Sequence, residues 1–488
     1  MTTPTYQTTK PLTRLLSLNK VKLLAVSLAL STTILLASYS WKNNLSLGHV
    51  LDLSAASAEN KDADSPPEPD FWNWQTITHF EKYKSKGLLT TEDICADFPA
   101  NILSRVQVVL KTGATESADR IDASMTSVTR CISNLLVVSD RATELHGHRV
   151  HDVLADLAPL AARMNITDFG AYEALQRGDK NFGGAEGWRL DRFKFLPMIE
   201  RAREANPTAE WFVFLETDTY LFWDNVFRLL DQFDPSVPLY FGSPSPGFWL
   251  EHEERVWFAY GGSGFILSRA AVEVLTERQV GAFGEYAEPS VSERYMEVVD
   301  RDCCGDSVLG FALYQKGVNI SGLWPMFNAH ALHGIPFDAK HWCQPVISLH
   351  KSLFADMTGL AKWESGRDRS NPVLYSDLAD YLQLGELSDR VGWDNGDFGG
   401  HIEPPESEAH ASLSACRMAC QDSDACLSFT WDASGHCVFV RTIRLGAANN
   451  VSPDKLTAGW DNSGIQRWRE SNKCEAPMWV KPSIKRIF

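Results

Sequence analysis

Two carboxylates follow directly on an apolar run near the middle of the chain. The run is WFVFL, residues 211–215, and it leads into Glu216 and Asp218. Burying unpaired carboxylates is costly, so the pair is either exposed at a strand end or holds a cation. Carboxylate oxygens suit hard cations such as Mn2+ and Mg2+, which also bind diphosphates. The structural alternative is that Asp218 or Asp224 caps the start of a following helix.

Three later segments also carry residue types that suit chemistry. A glycine-rich turn, GGSG at residues 261–264, lets a ligand approach the backbone closely, although a tight turn would use the same residues. Asp306 is the sole carboxylate of CCGDSVLG and stands at a predicted helix start, where the helix dipole would stabilise it. His350 follows an apolar run, and a lone histidine there is more often a packed core residue.

The elements that must position these residues alternate between two types. The pattern predicts strands at 105–110, 134–140 and 211–215 and helices at 190–205 and 223–233. Such alternation predicts crossover connections and a mostly parallel sheet in an α/β fold. Ligands of these sheets bind beyond the carboxyl ends of the strands, and Glu216 and Asp218 lie at such an end.

The composition indicates a globular protein and argues against a nucleic-acid-binding one. The chain has 488 residues, of which 44% are hydrophobic, and this is enough for two or three globular domains. It carries 46 basic and 62 acidic residues, for a formal charge of -16. Because no basic surplus is available to neutralise a phosphate backbone, we do not expect nucleic acid as a partner.

The N-terminal segment predicts a membrane anchor. Residues 23–41 carry no charge and would span about 28 Å as a helix, which is close to one bilayer core. Residues 1–22 contain basic but no acidic residues, so the positive-inside rule predicts a cytoplasmic tail and a lumenal remainder. Residues 42–90, which begin with a stretch rich in Ser, Ala, Asp and Pro, predict a flexible stem. A cleaved signal peptide is the alternative.

The cysteines and sequons are typical of an oxidising compartment. The chain has ten cysteines, and Asn-x-Ser/Thr sequons lie at Asn44, Asn165, Asn319 and Asn450. Four of the cysteines form the pattern C-x3-C-x5-C-x10-C, at Cys416, Cys420, Cys426 and Cys437. A C-x3-C pair places both sulfurs near one helix face. Because the pattern has no C-x2-C pair, it favours disulfides over a zinc site.

Four ordered motifs resemble those of family 31 glycosyltransferases, the group of core 1 β-1,3-galactosyltransferases and Fringe-type enzymes. ETDTYLFWDN resembles the acid-rich motif, with Thr217 in place of the middle acid. YGGSGFILSRAA resembles the Gly-Gly-x-Gly loop, and HWCQPVISLHKSL resembles the segment that supplies a histidine. CCGDSVLGFAL resembles the acidic segment at a helix start, with Gly305 in place of its first acid. The resemblance spans residues 100–365 and is greatest to the fungal branch.

The resemblance implies a GT-A-like domain at residues 91–385 that transfers a sugar, with galactose the first choice, from a UDP-sugar. The expected product is a β-1,3 linkage on a glycan or glycoprotein acceptor, made with inversion in the Golgi or elsewhere in the secretory pathway. By the same resemblance Mn2+ or Mg2+ is held by Glu216, Asp218 and His350, and Asp306 is the catalytic base. The implied donor-binding residues are Lys111, Thr112, Arg192, Gly261, Gly262 and Gly264.

Residues 392–475 resemble PAN/apple modules, in which a helix with a C-x3-C pair is stapled to a small sheet. The stretch LSFTW, residues 427–431, matches the strand after the third cysteine of those modules. A different class of function also stays open, namely a membrane-tethered carbohydrate-binding protein with a decayed transferase core. Thr217 and Gly305, which replace two acids of the family pattern, are the reason to consider it.

Overall fold

The structure is a computed structural model that describes Cys95 and residues 98–179, 184–250, 254–396, 400–450 and 455–484. The predicted cytoplasmic tail, the membrane anchor at 23–41 and the stem at 42–90 lie outside the described residues. Among the helices that are described, none combines the length and the hydrophobicity that crossing a bilayer requires.

The strands are β1 (Val106–Lys111), β2 (Leu136–Ser139), β3 (Thr143–Leu145), β4 (His148–Asp152), β5 (Trp211–Glu216), β6 (Tyr220–Leu221), β7 (Tyr240–Gly242), β8 (Pro244–Trp249), β9 (Arg255–Ala259), β10 (Phe265–Ser268), β11 (Ser321–Gly322), β12 (Phe327–Asn328), β13 (Ser348–Leu349), β14 (Arg390–Val391), β15 (Trp393–Asp394), β16 (His401–Ile402), β17 (Ser428–Asp432), β18 (His436–Val440), β19 (Ala447–Ala448) and β20 (Leu456–Trp460).

The helices are α1 (Ala118–Thr126), α2 (Ala158–Met164), α3 (Phe169–Gln176), α4 (Gly184–Asp191), α5 (Phe195–Ala205), α6 (Trp223–Leu230), α7 (Arg269–Thr276), α8 (Val291–Arg294), α9 (Met296–Arg301), α10 (Gly305–Gln315), α11 (Phe354–Ser365), α12 (Tyr375–Tyr381), α13 (Leu413–Gln421) and α14 (Asn462–Ser471). Short 3-10 helices lie at Ala100–Ser104, Arg192–Lys194, Gly261–Ser263, Leu332–Gly334 and Glu408–Ala411.

The central sheet has eight strands in the order β11-β7-β10-β5-β1-β2-β4-β3. Strand β1 pairs in parallel with both β2 and β5, and β2 pairs in parallel with β4. Strand β10 is antiparallel to both of its neighbours. The predicted α/β architecture with a mostly parallel sheet is therefore confirmed. The carboxyl ends of β1 and β5 lie side by side, because Lys111 is in register with Glu216.

The sheet is covered on both faces, which explains its continuous apolar runs. Every residue of β1 is buried, and in β5 only Glu216 is partly exposed. On one face, Phe212 and Phe214 belong to a buried cluster that includes Leu196 of α5 and Leu309 of α10. Packing of these helices on β5 therefore places their first turns close to the strand ends.

The predicted helix at 190–205 is interrupted in the structure. Helix α4 ends at Asp191, a 3-10 turn covers Arg192–Lys194, and α5 begins at Phe195. Pro197 explains the break, because proline has no N–H to bond within a continuous helix but fits in a first turn. The helix-cap alternative for the acids near β5 is wrong, since the N-cap of α6 is Phe222 and no side chain caps that helix.

A second, smaller sheet lies in the C-terminal part of the chain. Its five strands follow the order β14-β20-β17-β18-β16, and α13 packs on them. The Cys416–Cys437 disulfide joins α13 to β18, and Cys420–Cys426 joins α13 to the turn before β17. All ten cysteines are in disulfides, so the prediction that the four cysteines of this module form disulfides is confirmed. The PAN/apple assignment stays a prediction.

The two modules are connected by several backbone contacts and one disulfide. Cys343 is bonded to Cys474, and Phe337 forms an antiparallel bridge with Ile443. Beyond α14 the chain returns to the edge of the central sheet, where the Ser483 N–H donates to the Gly322 carbonyl at 2.9 Å. Both modules fall within one compact unit, residues 74–488.

Within the C-terminal module, we expect the Cys416–Cys437 disulfide to be more stabilising than the Cys420–Cys426 disulfide. Removing Cys416–Cys437 by alanine substitutions should lower the free energy of local opening by about 3 kcal/mol, because that bond closes the longer loop. The matched control, removal of Cys420–Cys426, should cost about 2 kcal/mol on the same entropic argument. Amide hydrogen exchange of β17 and β18 measures both values, and the reverse order would contradict the loop-length explanation.

Candidate functional site

A cavity of about 600 Å³ opens at the carboxyl ends of β1 and β5. Most of the residues predicted from the sequence line it, namely Lys111, Thr112, Arg192, Glu216, Asp218, Gly262, Asp306 and His350. They come from six separate stretches of the chain. Gly261 and Gly264 are not part of the cavity wall.

Glu216, Asp218 and His350 meet at one end of β5. Strand β13 pairs antiparallel with β6, just after the acidic turn, and so carries His350 back to Asp218. His350 Nε2 lies 3.5 Å from Asp218 Oδ1. One ligand atom from each of the three side chains lies within 4.8 Å of the others. Two carboxylates and an imidazole form a donor set that suits Mn2+, so these residues fit the implied cation.

Basic side chains balance the charge of the two acids. Lys111 Nζ lies 3.0 Å from Glu216 Oε1, and the Arg120 guanidinium lies 3.7 Å from Asp218 Oδ2. Burial raises the pKa of the Asp218 carboxyl, but His350 and Arg120 outweigh this effect and leave the pKa below its ordinary value. Asp218 is thus held in its ionised form although it is largely buried.

Thr217, which stands in place of the middle acid of the motif, contacts a carboxylate from a distant part of the chain. The Thr217 hydroxyl donates to Glu116 Oε2 at 3.1 Å, and Glu116 follows β1 in the chain. Glu116 also lines the cavity. A third carboxylate is therefore present beside the motif, although the sequence places it 101 residues away from Thr217.

Asp306 lies in the first turn of α10, where the helix N-terminus favours a negative charge. Its carboxylate accepts the Gly261 N–H at 2.8 Å and the Ser307 N–H at 2.9 Å. Burial is the largest influence and raises the pKa of Asp306 to about 6, with Glu216 adding to the rise. The two N–H groups act in the opposite direction. Asp306 therefore has the pKa of a group that exchanges protons near neutral pH.

The glycines of the 261–264 loop pack against the predicted catalytic and metal-binding side chains. A Cβ at Gly262 would lie 2.3 Å from the His350 ring, and one at Gly261 would lie 2.8 Å from the Phe195 ring. Gly264 has a φ of 72°, a conformation that favours glycine. Gly261 and Gly264, predicted as donor contacts, thus serve the packing and the turn around the cavity.

Arg192 lines the cavity, but its guanidinium already has protein partners. It donates to the Asp302 carbonyl at 2.7 Å and to Asp168 Oδ2 at 2.5 Å. Asp300 lies 3.6 Å away. Arg192 therefore fixes the segment before α10, and its predicted contact with the nucleotide stays untested.

A charge network in the wall of the cavity was not predicted. Lys194, 1% exposed, lies 3.2 Å from Asp140 and 3.3 Å from Asp191, and it donates to the Thr112 carbonyl at 2.9 Å. Asp191 also pairs with Lys111. Burial lowers the pKa of Lys111, but Asp191 and Glu216 outweigh it and hold the pKa above its ordinary value. Asp140 directly follows β2, so the strand-end rule that identified Glu216 would also have identified it.

Trp188 is a further wall residue that the sequence patterns did not single out. Its side chain is 67% exposed although it lines the cavity. It lies in α4, one helical turn before Arg192. An exposed indole gives the cavity a flat apolar surface, next to the carboxylates that supply its polar groups.

Comparison with known proteins finds a family match over part of the chain. Residues 188–331 match the Fringe-like family. The Fringe-like segment includes Glu216, Asp218, the 261–264 loop and Asp306. Lys111, Thr112 and His350 lie outside it, as does the C-terminal module.

One curated relative and one solved structure match parts of this chain. The Fringe glycosyltransferase of Drosophila melanogaster is 38% identical over 72 residues, which are 12% of this chain and 18% of that protein. The chain therefore spans about a fifth of the length of this curated relative. A crystal structure of a glycosyltransferase involved in the glycosylation of the major capsid of PBCV-1 is 13% identical, covers 53% of this chain and 98% of its own, and has a TM-score of 0.24. A score this low carries no argument about the fold.

We expect Gly262→Ala to disturb the candidate metal-binding group of Glu216, Asp218 and His350. The added Cβ would lie 2.3 Å from His350, which must therefore move away from Asp218. Loss of ligand geometry typically weakens metal binding by about 10- to 100-fold. Calorimetric titration with Mn2+ measures this change.

The matched control is Gly170→Ala in α3, where an added Cβ meets nothing within 4 Å. This variant should bind Mn2+ as the unmodified protein does. If Gly262→Ala also binds Mn2+ normally, His350 is not a ligand.

Proposed function

We propose that the chain is a metal-dependent inverting glycosyltransferase that uses a UDP-sugar. The donor would be UDP-galactose in the first instance, and the product a β-1,3 linkage on a glycan or glycoprotein. One observation carries the proposal: Glu216, Asp218 and His350 share a single cavity with Asp306. The match of residues 188–331 to the Fringe-like family supports the same reaction class.

The residues divide into two roles. Mn2+ or Mg2+ held by Glu216, Asp218 and His350 would supply positive charge to the departing diphosphate. Asp306 would accept the proton of the acceptor hydroxyl as its oxygen forms a bond to the anomeric carbon. The bond from that carbon to the diphosphate oxygen breaks, and UDP leaves with the electron pair. Attack from the face opposite UDP inverts the anomeric centre, so no protein nucleophile is needed.

The two departures from the family pattern have local explanations. Glu116 supplies a carboxylate that accepts a hydrogen bond from Thr217, the residue that replaces the middle acid. A Cβ at Gly305 would lie 2.1 Å from the Arg192 carbonyl oxygen, so no side chain fits there. Both changes are therefore compatible with an intact site and weaken the case for a decayed transferase.

The proposal extends to the rest of the chain. We place the protein in a Golgi-type membrane with its catalytic part in the lumen, on the basis of the uncharged segment at 23–41 and the cysteine content. Five disulfides agree with an oxidising compartment. The C-terminal module would be PAN/apple-like.

A panel of donors tests the proposal. Purified protein is incubated with UDP-galactose, UDP-N-acetylglucosamine or UDP-glucose, in Mn2+ or in chelator, and release of UDP is measured. We expect release from one donor, dependent on the metal. Absence of release from every donor in Mn2+ would favour the carbohydrate-binding alternative.

A further inference from the structure

Two adjacent cysteines, Cys303 and Cys304, are joined by a disulfide directly before α10. Both line the cavity, and Cys303 is exposed. With Asp302 they form a cluster of metal-ligand type, but oxidised sulfurs are not thiolates and so do not bind a cation in this form. The proposed reaction assigns these two residues no role.

The chain on both sides of this disulfide is held by specific contacts. The Asp302 carbonyl accepts a hydrogen bond from Arg192 at 2.7 Å, and its carboxylate accepts the Cys304 N–H at 2.8 Å. Gly305 packs directly on the Arg192 carbonyl oxygen. Cys303 lies between these fixed points but is itself exposed, so packing of its side chain does not hold it in place.

We propose that the Cys303–Cys304 disulfide is a positioning element for Asp306. The bond closes a small ring that contains the peptide linking the two residues. It therefore restricts the backbone at a position that is not held in place by burial of the side chain. Asp306 lies two residues after Cys304, and its carboxylate must stay within hydrogen-bonding distance of the Gly261 and Ser307 N–H groups. This inference rests on the proposed function for its effect on turnover.

The Gly261 amide is a reporter of this positioning. Its N–H donates to Asp306 Oδ2 at 2.8 Å, although the two residues are 45 positions apart in the chain. If the first turn of α10 shifts, this hydrogen bond weakens and the amide exchanges faster with solvent. A disulfide that served only the overall stability of the fold would change exchange across the sheet and not preferentially at Gly261.

The experiment compares the full-length protein with Cys303→Ala/Cys304→Ala, and with Cys416→Ala/Cys437→Ala as the matched disulfide control. Peptide mapping should first find Cys303 bonded to Cys304 in the unmodified protein. In the first variant, hydrogen exchange should accelerate at Gly261 and across residues 302–307. Turnover of the best UDP-sugar should fall between about 10- and 100-fold, and its KM should stay nearly unchanged. The control should show none of these changes at the cavity.

Mild reduction gives the same comparison without a substitution. Water-soluble phosphine, with one water molecule, converts the disulfide to two thiols and is itself oxidised to the phosphine oxide. Because Cys303 is exposed while Cys416 and Cys437 are fully buried, limited phosphine should reduce the 303–304 bond first. Alkylation and mass analysis identify the reduced pair. Exchange at Gly261 should then accelerate as it does in the variant.

Three results would overturn the inference: free thiols at 303 and 304 in the unmodified protein, unchanged exchange at Gly261 after the bond is removed, or a rise in donor KM equal to the fall in turnover. If the unmodified protein releases no UDP from any donor, the proposed function fails. Exchange at Gly261 still decides whether the disulfide positions Asp306.

Discussion

Asp218→Asn should abolish release of UDP that depends on Mn2+ while the protein still folds. The amide is nearly isosteric with the carboxylate but lacks its charge, and Asp218 lies between His350 Nε2 at 3.5 Å and Arg120 at 3.7 Å. Without that charge the site keeps a single carboxylate, Glu216, and Lys111 already pairs with it at 3.0 Å. Loss of one ligand should therefore remove measurable Mn2+ binding by calorimetry, together with turnover.

Asp224→Asn is the matched control for this substitution. Asp224 is a buried acid six residues later in the chain, it pairs with Arg228 at 3.1 Å, and it does not line the cavity. Turnover and Mn2+ binding should stay near those of the unmodified protein. Full activity in Asp218→Asn would remove this residue from the metal site.

Asp306→Asn should lower turnover by about 10²- to 10⁴-fold and leave the donor KM nearly unchanged. The asparagine side chain cannot accept the proton of the acceptor hydroxyl. The candidate metal ligands and the proposed donor contacts would remain. Asp300→Asn is the control, since Asp300 lies near α10 but does not line the cavity. A collapse of donor affinity along with the rate would make Asp306 a ligand or a structural residue.

The pH profile gives a second measure of the same residue. Asp306 has a pKa raised to about 6, and a base must be deprotonated to accept a proton. Turnover should therefore rise as pH increases through about 6, and this inflection should be missing in Asp306→Asn. An unmodified enzyme with no inflection between pH 5 and 7 would place the base elsewhere.

The strand-end residues of the site could be predicted from the sequence because their positions depend on local patterns. WFVFL forms β5, and the acids that follow it face the cavity, as the rule for parallel sheets requires. Asp306 and His350 were predicted from the resemblance of their short motifs to those of the family, at a helix start and after an apolar run. Each of these signals lies within about one turn or one strand of the residue it identifies.

The contacts that join distant segments could not be predicted. Lys194 meets Asp140 only because α5 packs on a sheet in which β2 lies beside β1, and no local pattern encodes that order. Glu116 reaches Thr217 for the same reason, since β1 and β5 are neighbours. Cysteine spacing left the pairing of Cys343 with Cys474 open, because several partners satisfied it.

The return of the chain to the edge of the central sheet limits how this protein can be divided. A fragment ending at residue 385 would lose Cys474, which holds Cys343, and Ser483, which bonds to Gly322 on strand β11. An edge strand without its partner is a site of aggregation. The two modules should therefore be expressed together, and affinity tags should be kept away from the segment around Ser483. The same connection makes the C-terminal module a poor candidate for exchange between proteins as an independent cassette.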